Sequence, residues 1–283
     1  MRKIERIITS QVAPVGTFTV RRALPDPNRR AIGPWVFLDH FGPFRIKPGE
    51  DGVGPHPHAG IETVTYLLSG RNRHRDSAGH TGIVGPGGAQ WMTAGRGIIH
   101  AEAPLAENEG EMTMHGIQLW TTLPRALKSM PPRYQRIEAS AIPEIALTGG
   151  SIRVVAGEYE SHRGPADVLM PLLLWHVSLN LGASFLVDPP PGFELGAYVI
   201  DGEATFDADA IASAGQLAVF ADAEGAIGIA NTGTAKLEVL LLGGAPAEGP
   251  LVFHGPFVMN SIEQVRAADR AYHDGRMGAL AET

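Results

Sequence analysis

The stretch that decides the fold begins at Pro55 with PHPHAGIETVTYLLSG and closes at Glu102 with GAQWMTAGRGIIHAE. Each of its ends carries two candidate metal ligands two residues apart: His56 and His58 at the start, His100 and Glu102 at the close. Side chains at i and i+2 of a β-strand lie on the same face, roughly 6 to 7 Å apart along the strand. Because a sheet can place two such strands side by side, we expect three imidazoles and one carboxylate to surround one divalent metal ion that keeps open coordination positions.

Glu62 is a further acidic residue in the same stretch. It has the parity of His56 and His58, so it could face the same interior. In one straight strand, however, it would lie roughly 13 Å from His58. We therefore expect Glu62 to lie beside the metal ligands, with direct coordination as the alternative.

The polar segment RNRHRDSAGH separates the two ligand pairs. Arg71, Arg73 and Arg75 share one parity, which favours a solvated edge strand, because charged side chains on an edge prevent unwanted strand pairing. An anion-binding site is the alternative. We expect His74 and His80, in the same segment, to be exposed.

Two more histidines, His40 and His115, lie in predicted strands outside this stretch. We expect hydrogen bonds to satisfy both in the core or at its rim. A role for His115 in lining the pocket is the alternative.

The bulk composition excludes several classes of protein. Of 283 residues 44% are apolar and 19% are charged, which indicates a globular chain, and 35 glycines and 22 prolines spread along it favour an all-β protein with many turns. The net charge of −7, with no basic stripe, argues against direct binding of nucleic acid. No signal peptide or long apolar run is present, so we expect no membrane contact and a cytoplasmic location. Because the chain has no cysteine, a bound metal would have only nitrogen and oxygen ligands.

The second half of the chain repeats the first without its ligands. Residues 56–77 align on residues 188–209, where the glycines and tyrosines coincide but His56 and His58 meet Asp188 and Pro190. The positions of the second ligand pair also carry residues that do not bind metals. We therefore predict two β-barrels of the same kind, of which only the first holds a metal.

The repeat sets the predicted domain boundaries. In chain order these are an N-terminal barrel with the metal site over residues 1–130, a linker over 131–150, a C-terminal barrel without ligands over 151–245, and an extension over 246–283. The extension contains a predicted helix that begins after Ser261 and ends at Gly275, with Gln264 at the capping-box position. Ile262, Val265 and Tyr272 would form its apolar face.

HPHAGIETVTYLLSG followed by QWMTAGRGIIHAE resembles the pirin family of the cupin superfamily. LDHFGP near the start, GIQLW in the middle and GPFVMN near the end are also similar to landmarks of that family, in the same order. The resemblance covers nearly the whole chain. It implies an all-β bicupin fold, that is, two antiparallel, jelly-roll-like β-barrels with a short C-terminal helix.

The resemblance also implies the site. His56, His58, His100 and Glu102 match the ligand positions of the family, whose usual metal is iron, so one Fe(II) per chain is expected. Mn, Ni, Co, Cu or Zn are alternatives, since the donor set accepts them as well. The general cupin pattern would make Glu62 a ligand, the pirin pattern uses Glu102, and this sequence keeps both.

Two functions follow from the resemblance. Some bacterial members resemble quercetin 2,3-dioxygenases, which open the central ring of a flavonol with O2 and release carbon monoxide; for this chain the partners would be a small aromatic substrate and O2. In that hypothesis Glu102 is the general base for the flavonol 3-hydroxyl. The alternative is a redox-sensitive, metal-binding regulator that binds a protein partner, as described for animal members. A purely structural metal site is less consistent with the residues, because structural zinc sites are typically closed and rich in cysteine.

Overall fold

The computed structural model describes residues 1–47, 52–106, 112–207 and 210–280. These residues are mostly β-strands, with one α-helix near the C-terminal end, so the predicted all-β class is confirmed. They form two compact units. Each unit is built around one seven-stranded and one four-stranded sheet.

The first unit, called the metal-site unit because it contains the predicted ligands, comprises Val12–Val20, Leu38–Ser140 and Glu248–Thr283. Its seven-stranded sheet has the order β12 (Arg133–Ile137), β9 (Ala89–Thr93), β6 (Ile61–Ser69), β11 (Met112–Thr122), β4 (Trp35–Ile46), β3 (Phe18–Leu24) and β2 (Gln11–Val15). Its four-stranded, antiparallel sheet has the order β5 (Val53–His58), β10 (Ile98–Pro104), β7 (Asn72–Asp76) and β8 (Thr81–Val84).

The second unit comprises Met1–Gln11, Arg21–Phe37 and Ala141–Ala247. Its seven-stranded sheet has the order β1 (Ile4–Thr9), β22 (Gln216–Phe220), β19 (Glu194–Asp201), β24 (Leu237–Gly244), β17 (Leu172–Leu179), β14 (Gly150–Ala156) and β13 (Glu144–Leu147). Its four-stranded sheet has the order β18 (Ser184–Val187), β23 (Ile227–Asn231), β20 (Glu203–Phe206) and β21 (Ala210–Ser213). Strand by strand, these orders correspond to those of the metal-site unit, as the sequence repeat predicts.

The remaining elements are short. They are the two-stranded sheets β15 (Glu158–Tyr159) with β16 (His162–Arg163) and β25 (Val252–His254) with β26 (Phe257–Met259), and 3₁₀ turns at Arg125–Leu127 and Ala139–Ala141. None of the helices in the described part of the chain has the length and apolar composition needed to cross a lipid bilayer. The cytoplasmic location stays a prediction.

Each unit combines stretches that are distant in sequence. The N-terminal strand β1 pairs with β22 in the second unit, whereas the segment from Glu248 onward belongs to the metal-site unit. Because each unit is made of three separate stretches, no single residue divides one unit from the other in the sequence. The boundaries at residues 130, 150 and 245 therefore stay predictions.

The predicted C-terminal helix is confirmed as α1 (Ile262–His273). The Ser261 side chain accepts a hydrogen bond from the backbone N–H of Gln264, and the Gln264 side chain accepts one from the backbone N–H of Asn260, which caps the first turn. The helix ends where Gly275 adopts a positive φ of 72°.

The buried face of α1 agrees with the prediction for Val265, which is buried, and for Tyr272, which is partly buried against the same cluster. Val265, Ala268 and Ala271 are buried and pack in one cluster with Ala59, next to a predicted metal ligand. Ile262 is 54% exposed, so its assignment to the apolar face was wrong. The helix therefore docks on the metal-site unit, close to the ligand strands.

Lys128 joins the C-terminal segment to the turn after β5. Its buried ammonium donates hydrogen bonds to the carbonyl oxygens of Gly60 (2.8 Å) and Val258 (2.7 Å) and to Oγ1 of Thr122 (2.7 Å). Burial lowers the pKa of Lys128 from its ordinary value of 10.5 to about 7, and the nearby Glu248 acts in the opposite direction.

This lysine predicts how stability depends on pH. Between pH 7 and 10.5 the unfolded chain binds a proton on Lys128 that the folded chain has released, so the free energy of unfolding should rise with pH over that range. We expect Lys128→Met to lower the free energy of unfolding and to remove this rise. Chemical denaturation of the metal-free protein at pH 7, 8 and 9 measures both effects. Lys47→Met, at an exposed position, is the control; an equal rise in Lys128→Met and in the wild type would contradict the assignment.

Candidate metal centre

Three histidines of the metal-site unit form a compact group. One potential ligand atom each from His56, His58 and His100 lies within 4.8 Å of the others. The group forms because β5 and β10 are antiparallel neighbours in which His100 pairs with His56, while His58 follows two residues later on the same strand. The ring centroids are 4.3 Å apart for His56 and His100 and 5.0 Å apart for His58 and His100. The structure thus brings together three of the four predicted ligands.

Hydrogen bonds orient the first two imidazoles. Nδ1 of His56 lies 2.7 Å from the carbonyl oxygen of Gly54, and Nδ1 of His58 lies 3.2 Å from that of Pro256. A carbonyl oxygen can only accept, so each Nδ1 carries the proton and each Nε2 keeps a lone pair. This is the arrangement in which a histidine binds a metal through Nε2.

Burial keeps His58 and His100 neutral. It lowers the pKa of His58 to about 3 and that of His100 well below its usual value, and the neighbouring imidazoles add to both shifts. Neutral imidazole is the form that coordinates metals. His56 is only partly buried, so the group is open to solvent at that side.

The residues fit a metal ion. Nε2 of His100 is buried and has no hydrogen-bond partner among the described residues, although buried polar atoms are nearly always paired. A metal would satisfy this lone pair. Three imidazoles as ligands suit a divalent first-row transition metal.

Glu102 lies two residues beyond His100 on β10, after an irregularity in the pairing with β5. The compact group found among the described residues consists of the three histidines and does not include its carboxylate. Its Oε1 accepts hydrogen bonds from Oγ1 of Thr65 (2.7 Å), Nδ2 of Asn72 (3.0 Å) and the side-chain amide of Gln90. The role of Glu102 as a fourth ligand stays a prediction.

The compact group found among the described residues does not include Glu62 either. Its carboxylate accepts hydrogen bonds from the hydroxyls of Thr93 (2.6 Å) and Thr121 (3.3 Å), and burial raises its pKa. The chain turns at Gly60 between β5 and β6, so the alternation of faces does not continue from His58 to Glu62. Glu62 takes part in a buried hydrogen-bond network, and its place beside the metal ligands stays a prediction.

Strand β7 holds residues that the sequence interpretation misplaced. It lies between β10 and β8, so it is not an edge strand. Asn72, His74 and Asp76 are buried, while Arg73 and the other arginine of the strand are half-buried. The expectation of an exposed His74 was wrong, whereas His80 is partly exposed. The sequence of β7 could have indicated the buried positions: Asn, His and Asp alternate with arginine, and such alternation is typical of a strand with one polar face turned inward.

His40 and His115 lie outside the group of three. Their Nε2 atoms are 2.6 Å apart and their rings stack at a centroid distance of 4.9 Å. One proton shared between two Nε2 atoms satisfies both, in agreement with the expected role in the core and its rim.

Two units with the same strand order, one of them carrying a cluster of histidines on neighbouring strands, define a bicupin. The family model for Pirin matches residues 17–121, and the model for the Pirin C-terminal cupin domain matches residues 174–278. The chain belongs to the pirin family, and the predicted membership is confirmed.

Similar proteins include quercetin 2,3-dioxygenases, as the sequence predicts. A Pseudomonas aeruginosa relative, provisionally named as a quercetin 2,3-dioxygenase, is 37% identical over 87% of this chain and 86% of its own. The crystal structure of quercetin 2,3-dioxygenase from Acinetobacter baumannii has a TM-score of 0.93 and 33% identity, covering 99% of this chain and 100% of the other. A bacterial pirin from Escherichia coli, solved in complex with nickel(II), has a TM-score of 0.67 and 23% identity over 86% of this chain and 99% of its own, which shows the fold alone.

The three-histidine group predicts the outcome of two substitutions. His58→Ala should lose most of the bound metal while both units stay folded, because the apolar core of neither unit depends on this side chain. Glu194→Gln, in the second unit, should keep full metal content, because Glu194 contacts Arg29 and the backbone of Gly33 instead. Elemental analysis after gel filtration, with circular dichroism on the same samples, measures both. Halved metal content in Glu194→Gln would show a second metal site and contradict the prediction that only the metal-site unit binds a metal.

Proposed function

We propose that this protein is an iron-dependent dioxygenase that opens the central ring of quercetin-like flavonols with O2. The observation that carries the proposal is the convergence of three imidazoles, two of them kept neutral by burial and the third partly exposed to solvent. When bound, Fe(II) supplies Lewis acidity and redox chemistry at its open coordination positions. The likeness to the quercetin 2,3-dioxygenase of Acinetobacter baumannii supports the choice of substrate class.

The imidazoles hold the metal through Nε2. His56 and His58 are oriented by backbone carbonyls, so their positions are fixed before a metal binds. Such preorganisation lowers the cost of ordering the ligands when the metal arrives.

Glu102 is the proposed general base. Thr65, Asn72 and Gln90 all donate to Oε1, which fixes the plane of the carboxylate and leaves Oε2 to take the proton of a flavonol 3-hydroxyl. Coordination of the metal by the same carboxylate would compete with this role.

An aromatic side chain borders the site. The ring of Trp120 lies edge-on to His58, with centroids 4.9 Å apart. A planar aromatic surface next to the ligands suits a flat, aromatic substrate, because aromatic rings attract one another in stacked and edge-on arrangements.

The second candidate function is a redox-sensitive regulator that binds a protein partner. One observation favours it: the hydrogen bond from His58 to Pro256 ties a metal ligand directly to the turn between β25 and β26. A change in the oxidation state of the metal could thereby shift a surface turn that a partner contacts.

Turnover of quercetin distinguishes the two functions. Protein reconstituted with Fe(II) without oxygen should, on addition of quercetin and air, show loss of flavonol absorbance and release of carbon monoxide. His100→Ala should abolish both, and Glu102→Gln should lower kcat by about 100-fold or more if Glu102 transfers the proton. Glu194→Gln, in the second unit, should turn over like the wild type.

An iron-loaded wild type without turnover would contradict the flavonol dioxygenase and favour the regulator. Full activity of Glu102→Gln would contradict only the role of Glu102 as base.

A further inference from the structure

Among the described residues, backbone carbonyls orient His56 and His58 but none orients His100. Its Nδ1 lies 3.4 Å from Nδ1 of His74, a long hydrogen bond between two buried rings. Either nitrogen could carry the proton, since a neutral imidazole has one donor and one acceptor nitrogen. If His100 were the acceptor, its own proton would lie on Nε2 and block coordination through that atom.

Asp76 resolves this ambiguity. Its Oδ2 lies 3.0 Å from Nε2 of His74, and its side chain is fully buried. Burial would raise the pKa of Asp76, but hydrogen bonds from His74 and His80 outweigh burial and hold the pKa below its usual value. An ionised carboxylate can only accept, so Nε2 of His74 carries the proton and Nδ1 of His74 is the acceptor.

The Asp76 carboxylate is itself held in place. Its Oδ1 accepts hydrogen bonds from the backbone N–H groups of Ala78 and His80, both at 3.0 Å. The ring of Tyr134 stacks on His74 at a centroid distance of 4.4 Å and an interplanar angle of 12°. These contacts hold the carboxylate and the plane of the imidazole in place.

We propose that Asp76 and His74 are positioning residues that hold His100 as its Nδ1–H tautomer, so that Nε2 of His100 binds the metal. The proposal rests on the metal site of the proposed function, but it does not depend on which reaction that site performs. In this chain of hydrogen bonds, His100 donates to His74 and His74 donates to Asp76. Register supports the chain, because Asp76 is the residue of β7 paired with His100 on β10.

Asp76→Asn should reverse the chain with almost no change in shape. The amide oxygen would stay with the two backbone N–H groups that now bind Oδ1, so the amide nitrogen would face His74 and donate to its Nε2. His74 would then carry its proton on Nδ1, and His100 would have to carry its own on Nε2. We expect metal affinity to fall by about 10- to 100-fold, the usual effect of losing a partner that orients a metal ligand.

Two measurements on the full-length, metal-free protein test the proposal. Histidine ¹⁵N NMR should show the Nε2–H tautomer for His74 and the Nδ1–H tautomer for His100 in the wild type, and both reversed in Asp76→Asn. Titration with Co(II), followed by its visible absorption, should give the predicted loss of affinity. Circular dichroism confirms that each variant is folded.

A double-mutant cycle separates positioning from a merely structural role. His74→Phe keeps the ring that stacks on Tyr134 but breaks the chain, so Asp76→Asn should have no further effect on Co(II) affinity in that background. His80→Phe is the control, because it removes a contact to Asp76 but no link of the chain, and its affinity should stay within about threefold of the wild type.

Unchanged tautomers in Asp76→Asn, or additive losses in the double variant, would overturn the proposal. A wild type that binds Co(II) and, loaded with iron, fails to consume quercetin would contradict the dioxygenase and leave the positioning chain standing.

Discussion

The antiparallel pairing of β10 with two neighbours is the constraint on which the site depends. On one side β5 places His56 opposite His100, and on the other β7 places Asp76 opposite the same histidine. Alternate residues of each strand point inward. The central strand β10 and its neighbour β5 therefore present the candidate ligands, and β7, on the other side of β10, presents the groups that orient them. His74 orients His100, and Asn72 donates to Glu102 two residues further along β10. A shift of register by one residue would turn all of these side chains to the other face.

A second constraint comes from the C-terminal segment. Gly60 adopts a φ of 76°, and a Cβ at this position would lie 2.3 Å from the carbonyl oxygen of Val258, so only glycine allows the approach. Lys128 bonds to the carbonyls of both residues, and His58 bonds to Pro256 in the same segment. The histidines of β5 are thus held by the segment that follows Glu248, which explains why this segment belongs to the metal-site unit. The second unit keeps the same scaffold but fills its interior with an apolar cluster that includes Phe185 and Ile229.

The sequence predicted the fold class, the repeat, the terminal helix and the three histidines, because each leaves a pattern in residue spacing or a family motif. The i, i+2 rule holds within β5, and the capping pattern at Ser261 is local to one helical turn. The rule does not extend from His58 to Glu62, because a turn at Gly60 intervenes and turns reset the alternation of faces. His74 was misplaced because the neighbours of β7 are set by long-range pairing, which composition does not reveal. The pair of Asp76 with His74 likewise becomes meaningful only once β10 lies beside it.

The central claim is that His56, His58 and His100 bind one metal ion together. X-ray absorption spectroscopy of the Fe(II)-loaded protein tests it most directly, because multiple scattering from imidazole rings counts the histidine ligands. The account predicts three imidazole nitrogens in the first shell of the wild type. If His58→Ala still binds iron, that iron should have two imidazole nitrogens. A wild-type spectrum with one imidazole or none, or a spectrum that His58→Ala leaves unchanged, would contradict the account.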